Sequence, residues 1–256
     1  MRVSIITVTY NVEKLLEKTI LSVLNQTCKD FEYIIVDGAS TDKTIEIIER
    51  YELRIKNGNF HGITPEQFRW ISEPDQGLYD AMNKGMDLAT GNFVWFINAG
   101  DLIFDEYTLQ NIKNAYSNAP ASDTIYGQCL FIDKQGNTIG EWNKTIPEHL
   151  TKNSLLYGLR VCHQSLLVKM TIAPQYNLKY EICADYDWLI RVLENSKLNS
   201  FVNQYFSKFL IAGISSQKRT KAWRERFFIM KKAFGLSKTL LSHFIIILKY
   251  PFTRKY

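Results

Sequence analysis

No stretch of this 256-residue chain is apolar for long enough to span a bilayer. That takes ~20 residues, and the densest apolar run, Leu240 to Phe252, is interrupted by Ser242 and His243. Cysteine is scarce as well. Cys28, Cys129, Cys162 and Cys183 are scattered, with no CxxC pair and no Cys/His ligand spacing. They are expected to be reduced core thiols of a cytosolic protein rather than a disulfide framework or a zinc site. There is no fixed-period repeat and no low-complexity tract, which argues against a solenoid or a disordered linker. The start, Met1-Arg2-Val3-Ser4-Ile5-Ile6, enters a strand with no apolar segment leading to a small-residue cleavage site, so export is not expected. Acid is missing from one region. The last forty residues hold eleven Lys and Arg and one acid, Glu225, in a chain of net charge +5. That asymmetry points to an anionic partner, a membrane or a nucleic acid.

What is present is a regular first half. Residues 3–9 are an apolar, β-branched run and predict a buried strand. Leu15, Leu16, Thr19, Ile20, Val23 and Leu24 recur at helical spacing, which predicts an amphipathic helix over 12–26. Strands follow at 31–36, 69–72 and 93–97, with helices carrying Ile45, Ile47 and Ile48 and then running to about Ala89. Strand and helix in alternation predict an α/β protein whose sheet is flanked by helices. Ligands of such sheets bind beyond the carboxyl ends of the strands, which directs attention to residues 9–11, 37–42, 73–77 and 98–101. The second half is less regular: a hairpin over 124–132 and 138–142, a helix over 185–195, and two terminal helices over 218–234 and 237–249. Fifteen Phe, fourteen Tyr and five Trp exceed what one core needs and offer flat platforms for sugar rings.

Three acidic positions stand out. Asp37 ends a buried strand before a glycine turn, placed either to accept from a nucleobase or ribose, or to cap the next helix, which Ser40 or Thr41 could do unaided. Asp101 closes Asn98-Ala99-Gly100-Asp101 behind an apolar strand, where a carboxylate is costly without a partner or an ion. It is either a turn acid or a ligand of Mg²⁺ on a diphosphate. Asp185 and Asp187 precede an apolar helix, where the dipole favours acids and where one could serve as a general base.

Together these segments resemble the family 2 glycosyltransferases. The resemblance rests on Val3 to Asn11, Gln26-Thr27 to Phe31-Glu32, and Val36-Asp37-Gly38-Ala39-Ser40-Thr41-Asp42. It continues through Glu73-Pro74-Asp75-Gln76-Gly77, Asn83-Lys84-Gly85 and Ala89-Thr90-Gly91, and thins to Cys162-His163-Gln164, Asp185-Tyr186-Asp187 and Gly213-Ile214-Ser215. It implies a GT-A fold, a Rossmann-like mixed sheet flanked by helices with a C-terminal helical extension. It implies a glycosyltransferase domain over 1–215, its nucleotide-sugar half at 1–105 and its acceptor half at 106–215, and a basic tail over 216–256. Residue by residue, it places Thr9 and Asn11 against the nucleotide, Asp37 on the base and Asp75 on the nucleotide, with Asn83 and Lys84 in support. Asn98 and Gly100 belong to the same nucleotide-sugar site. Asp101 matches the metal ligand, for Mg²⁺ or Mn²⁺, and Asp185 the catalytic base. His163 and Gln164 match acceptor or donor contacts, although a buried structural histidine is the other reading. Two departures are visible. Family members often carry a pair of acids where Asp37-Gly38 stands, and acids where Asn98 and Gly100 stand.

The expected activity is therefore inverting transfer of a hexose from a nucleotide-diphosphate donor, UDP-linked, to a glycan or lipid-linked acceptor in cell-surface polysaccharide synthesis. A catalytically silent sugar-nucleotide-binding homologue is the alternative. A nicotinamide oxidoreductase would need glycines in the first turn, and Thr9-Tyr10-Asn11-Val12 has none. No nucleic-acid partner is expected, because the tail carries no reading motif and its apolar run suits lipid. Residues 218–256 suit a helix lying on an anionic membrane, at the inner face of the cytoplasmic membrane, or a helix that packs on the core or forms a homodimer.

Overall fold

The computed structural model describes residues 1–142, 145–211 and 219–249. The Gly213-Ile214-Ser215 segment, Lys218 and the final aromatic and basic residues 250–256 lie outside the described residues. Four strands, β1 (Val3–Thr9), β2 (Phe31–Asp37), β3 (Phe68–Ser72) and β4 (Phe93–Phe96), form a parallel block in the order β3-β2-β1-β4. Between them run α1 (Leu16–Leu24), α2 (Thr44–Lys56) and α3 (Leu78–Leu88). The sheet then turns mixed. β8 (Leu166–Lys169) joins β4 antiparallel, β6 (Thr124–Ile132) joins β8 antiparallel, and β9 (Asn199–Leu210) joins β6 parallel. β5 (Leu102–Ile103) closes the far edge on β9, and β7 (Thr138–Glu141) is a hairpin partner of β6. The remaining helices are α4 (Thr108–Asn118), α5 (Ala184–Asn195), α6 (Arg219–Phe234) and α7 (Leu236–Lys249).

The period-two alternation of the strands explains the layers. Val3, Ile5, Tyr33, Ile35, Phe93 and Trp95 point to one face, where α1, α2 and α4 cover them. Ile6, Val8, Ile34, Val36, Val94 and Phe96 point to the other, covered by α3, α5 and α6. α3 lies close on β1. A Cβ at Gly85 would sit 2.5 Å from the Ile6 methyl, so only glycine allows this approach. The tail contributes to the core through Ile229 and Met230 of α6.

Two of the segments behind the family resemblance meet at the amino ends of the strands, opposite the candidate site. Glu32, buried on β2, accepts hydrogen bonds from the Ser4 hydroxyl, the Thr90 and Gly91 amides and the Thr90 hydroxyl, and pairs with Arg69. Gln26 is likewise structural, since its amide donates to the carbonyls of Ser22 and Asp105 and accepts from the Leu109 N–H. The four cysteines are free thiols, three of them buried.

Candidate functional site

The carboxyl ends of β1 and β2 carry the first group of candidate residues. Their loops are tied to each other: the Asn11 N–H donates to the Ser40 hydroxyl at 2.8 Å, and the Asn11 side-chain oxygen accepts from the Thr41 N–H at 2.8 Å. Asn11 and Ala39 both lie in the left-handed region, at φ 50° and 59°. For alanine this costs about 1–2 kcal/mol, and such strain gathers at functional sites. Asp37 is fully buried, and its carboxylate accepts from the Ser40 N–H, the Ser40 hydroxyl and the Ser72 hydroxyl at 2.5–2.8 Å. It thus organises the loop that the nucleotide would face. Neither Ser40 nor Thr41 caps α2; the Asp42 carboxylate accepts from the Thr44 N–H instead. Asp75 comes to the same place from the loop after β3. A Cβ on Gly38 would stand 2.4 Å from its Oδ2, so the Asp75 carboxylate occupies the space that a side chain at position 38 would need. Lys84 holds that loop, donating to the Pro74 carbonyl at 2.7 Å and pairing with Glu73 at 2.8 Å. Asn83 acts further off: its amide clamps both backbone groups of Tyr176, at 3.1 and 2.6 Å.

The second group lies past β4. Residues 98–101 form a turn closed by the Asp101 N–H on the Asn98 carbonyl, with Gly100 at φ +102° against Leu210. The Thr19 hydroxyl accepts from the Gly100 N–H and donates to the Asp101 carbonyl. Asp101 is 4% exposed, and burial pushes its carboxyl up to about 7, against the pull of hydrogen bonds from the Leu210 N–H and the Gln164 side chain. Two buried polar atoms have no protein partner here: Thr9 Oγ1 at the end of β1 and Asn98 Oδ1 just past β4. Such orphans are rare and ask for a ligand, ion or water. Among the described residues no group of three His, Cys, Asp or Glu comes together, so no all-protein metal cage exists there. Mg²⁺ on a diphosphate needs only one or two protein oxygens. Asp101 and the orphaned Asn98 oxygen, on one turn, fit that requirement.

The third group surrounds the start of α5. Asp185 lies in its first turn; its Oδ1 accepts from the Tyr186 N–H at 2.8 Å and stands 3.4 Å from the Tyr79 hydroxyl. Burial, with the Asp185 charge adding to it, raises the Tyr79 hydroxyl well above its usual range, so it remains a donor. Asp187 is buried and paired with Arg191 at 2.7 Å, whereas Asp185 is half-buried. His163 donates to or accepts from the Tyr176 hydroxyl at 2.7 Å and lies among Phe96, Tyr176 and Trp188, and burial pushes it down to about 4. That shift favours the neutral ring near pH 7. These contacts join the acidic positions: Gln164 touches Asp101, its neighbour His163 touches Tyr176, Tyr176 stacks on Tyr79 at 5.4 Å, and Tyr79 reaches Asp185. Tyr79 and Tyr176 were not singled out from the sequence, which offers no sign of this link.

Two cavities, of about 250 and 510 Å³, lie around Gln128, Trp142 and Tyr205 and around Asn118, His149 and Asn203; no candidate residue lines either. The candidate residues lie instead on and beside the loops at the carboxyl ends of the strands.

Comparison with known proteins bears on this arrangement. A sequence profile described as Glycosyl transferase family 2 matches residues 4–169. The chain is 34% identical over 199 residues to a PGL/p-HBAD biosynthesis glycosyltransferase of Mycobacterium tuberculosis, covering 76% of this chain and 71% of that one. It is 26% identical over 261 residues to an uncharacterised glycosyltransferase of Haemophilus influenzae, covering 99% and 97%. Among solved structures, S. aureus TarS 1–349 in complex with UDP-GlcNAc superposes with a TM-score of 0.72 at 19% identity, over 100% of this chain and 76% of that one. Against the longer TarS chain the match covers 93% of this chain and 41% of that one. The mannosyltransferase PcManGT of Pyrobaculum calidifontis, in complex with GDP-Man and Mn²⁺, gives a TM-score of 0.64 at 14% identity, over 96% and 75%. The likeness to TarS and PcManGT identifies the mixed sheet with its flanking helices as GT-A.

Proposed function

We propose that this chain, which belongs to glycosyl transferase family 2, moves a hexose from a UDP-linked donor to a hydroxyl of a glycan or lipid-linked acceptor, with inversion. The observation that carries the reading is the pair of buried, partnerless oxygens, Thr9 Oγ1 and Asn98 Oδ1, at the ends of the two central strands. They lie at the carboxyl ends of β1 and β4, the side on which open α/β sheets take their ligands, and Asn98 shares its turn with Asp101. Thr9, Asn11, Asp37 and Asp75 shape the nucleotide end, and Lys84 steadies the Asp75 loop. Asp101, with Asn98 beside it, would hold Mg²⁺ or Mn²⁺, and the ion would supply charge neutralisation for the leaving diphosphate. Asp185 takes the proton of the acceptor hydroxyl as that oxygen bonds to the anomeric carbon. The bond from that carbon to the diphosphate breaks on the opposite face, releasing the nucleoside diphosphate. Tyr79 holds the Asp185 turn from α3.

A donor screen tests this. UDP-glucose, UDP-galactose, UDP-N-acetylglucosamine and GDP-mannose are incubated with the protein, with and without Mn²⁺, and diphosphate release is followed. Metal-dependent release from one UDP-sugar is expected. Binding of UDP without release from any donor, even with lipid-linked acceptors supplied, would instead mark a silent sugar-nucleotide-binding homologue.

The acceptor side includes the tail. No described helix is long and apolar enough to cross a membrane. Yet among the α7 residues whose side chains are described the buried ones are polar, Thr239 and Ser242 at 0% and 3% exposure, while Leu240, Leu241, Phe244 and Leu248 are 53–59% exposed. Large apolar side chains gain about 1.5–3 kcal/mol each on burial, so this face calls for an external partner. Exposed Lys221, Arg224, Lys231, Lys232 and Lys238 accompany it, while the one acid, Glu225, is buried. Their charge selects an anionic bilayer, as expected of an enzyme at the inner face of the cytoplasmic membrane that serves lipid-linked acceptors in surface polysaccharide synthesis. The protein is expected to sediment with phosphatidylcholine–phosphatidylglycerol vesicles and not with phosphatidylcholine alone, and Leu241→Glu/Phe244→Glu to abolish this. A wild-type dimer that the same double variant converts to monomer, with no vesicle binding, would assign the face to a second copy.

A further inference from the structure

We infer that Glu225, on the tail helix α6, is a positioning residue for Asp185, so that the basic tail is a working part of the catalytic site. The inference rests on the reading of Asp185 as the base. Glu225 is the only acid among the last forty residues and is 8% exposed. Its Oε1 accepts from the Glu181 N–H at 3.0 Å, and its Oε2 accepts from the Ile182 and Cys183 N–H groups, both at 2.9 Å. Those three residues are the turn that leads into α5, and Asp185 stands two residues beyond. Cys183 occupies the position before α5 where a Ser, Thr, Asp or Asn would normally satisfy the free amides, and it provides no side-chain cap. The Glu225 carboxylate binds instead the amides that lead up to the helix, those of residues 181–183, in charge-assisted bonds roughly twice as strong as neutral ones.

The turn is gripped from both sides. Glu225 holds the N–H groups of residues 181–183, while the Tyr79 hydroxyl of α3 donates to the Ile182 carbonyl at 2.9 Å and faces Asp185 itself. Flanking contacts fix the same junction: Lys221 pairs with Glu181, and the Cys183 thiol donates to the Ala222 carbonyl at 3.4 Å. One turn further along α6, Ile229 and Met230 are buried in the core, so Glu225 is held by a firmly packed helix. A local cap would have acted on α5 alone. Holding the 181–183 turn from α6 fixes the direction of the backbone on which Asp185 is carried, and misplacement by about 1 Å can cost 10²-fold in rate.

Glu225→Gln tests this. It preserves volume but replaces one accepting oxygen by an amide that cannot accept, freeing at least one of the three N–H groups. Three quantities are measured on the full chain: amide hydrogen exchange at residues 181–183, the turnover number for UDP release from the best of the UDP-hexoses with Mn²⁺ and water as acceptor, and the dissociation constant of that donor. The expected result is exchange at 181–183 faster by tenfold or more, turnover lower by ten- to a hundredfold, and donor affinity within twofold of wild type. Glu225→Asp, which keeps the charge on a shorter arm, should fall between the two and stands in if the Gln variant does not fold. Wild-type exchange at 181–183, or fast exchange with unchanged turnover, overturns the inference. So does an equal loss of turnover and donor affinity, which a merely structural role would give. A fully active Asp185→Asn enzyme would sink the base assignment itself, whereas an inert Asp185→Asn beside a fully active Glu225→Gln sinks only this inference. If wild type releases no UDP from any donor, the exchange measurement decides.

Discussion

Asp185→Asn leaves the donor bound and removes transfer, with a fall in turnover of about 10²–10⁴-fold, the usual contribution of a general base. In barrier terms that is about 2.7–5.4 kcal/mol. The substitution is close to isosteric, and an Asn oxygen can still accept from the Tyr186 N–H that Asp185 now uses. The fold and the donor pocket should therefore survive, and donor affinity should stay within twofold. No neighbouring acid is placed to compensate. Asp187 is buried and bound to Arg191, whose Nη1 also donates to the Gln175 carbonyl. Releasing it would break an ion pair whose carboxylate is 6% exposed and whose guanidinium is 27% exposed. Steady-state UDP release together with calorimetric donor binding is the measurement; an Asp185→Asn enzyme with more than a tenth of wild-type turnover would remove Asp185 from the mechanism.

Asp101 gives the second large effect, and of a different kind. Asp101→Asn retains an oxygen to accept from the Leu210 N–H, so the junction between the 98–101 turn and the end of β9 should hold. What disappears is the charge. Turnover should fall by about 10²–10³-fold, the scale seen when a preorganised electrostatic contact is lost. Donor affinity should weaken by about tenfold, or 1.4 kcal/mol, and the response to added Mn²⁺ should vanish. This pattern differs from that of Asp185→Asn, in which binding and the Mn²⁺ response remain. Removing the metal from wild type with a chelator should reproduce the Asp101→Asn values. A variant that keeps half its activity and a normal Mn²⁺ titration would mean that Asp101 only latches the turn to Leu210.

The two halves of the chain were not equally legible. β1, β2 and β4 are apolar-rich runs and β3 is a short segment around Trp70 and Ile71, with helices between them, so local pattern places all four to within a residue or two. α1 begins at Leu16 rather than residue 12 because Val12 to Leu15 belong to a turn, with the Val12 and Glu13 amides given to Thr44 and Asp42. β8 has four residues, and β9 has an irregular mixture of polar and aromatic ones. Both are strands because of partners far away in sequence, so neither is visible in a local window. The site divides in the same way. Thr9, Asn11, Asp37 and Asp75 cluster as the strand-end rule requires. His163 turns out to be held among aromatic rings. Asn83 supports the site through the backbone of a residue ninety-three positions away, which no spacing announces. Glu225 did leave a trace, as the lone acid of a basic tail; what it binds could be learned only from the packing of α6 on α5.

The sheet order also has a consequence for how the chain is made. β1 to β4 can pair as they emerge, since each partner precedes the next. The outer edge of β4 must then wait for β8, which begins seventy residues later (166 − 96 = 70). At about 5–20 residues per second, that is roughly 4–14 s during which an apolar strand, Phe93-Val94-Trp95-Phe96, offers unpaired amides and carbonyls to any other nascent chain. β6 arrives within that interval but waits in turn for β9, whose first paired residue, Asn199, lies seventy-five positions after its partner Thr124 (199 − 124 = 75). Aggregation during synthesis, rather than weakness of the finished protein, is therefore the hazard this topology sets, and slower growth or added holdase chaperones should raise the soluble yield.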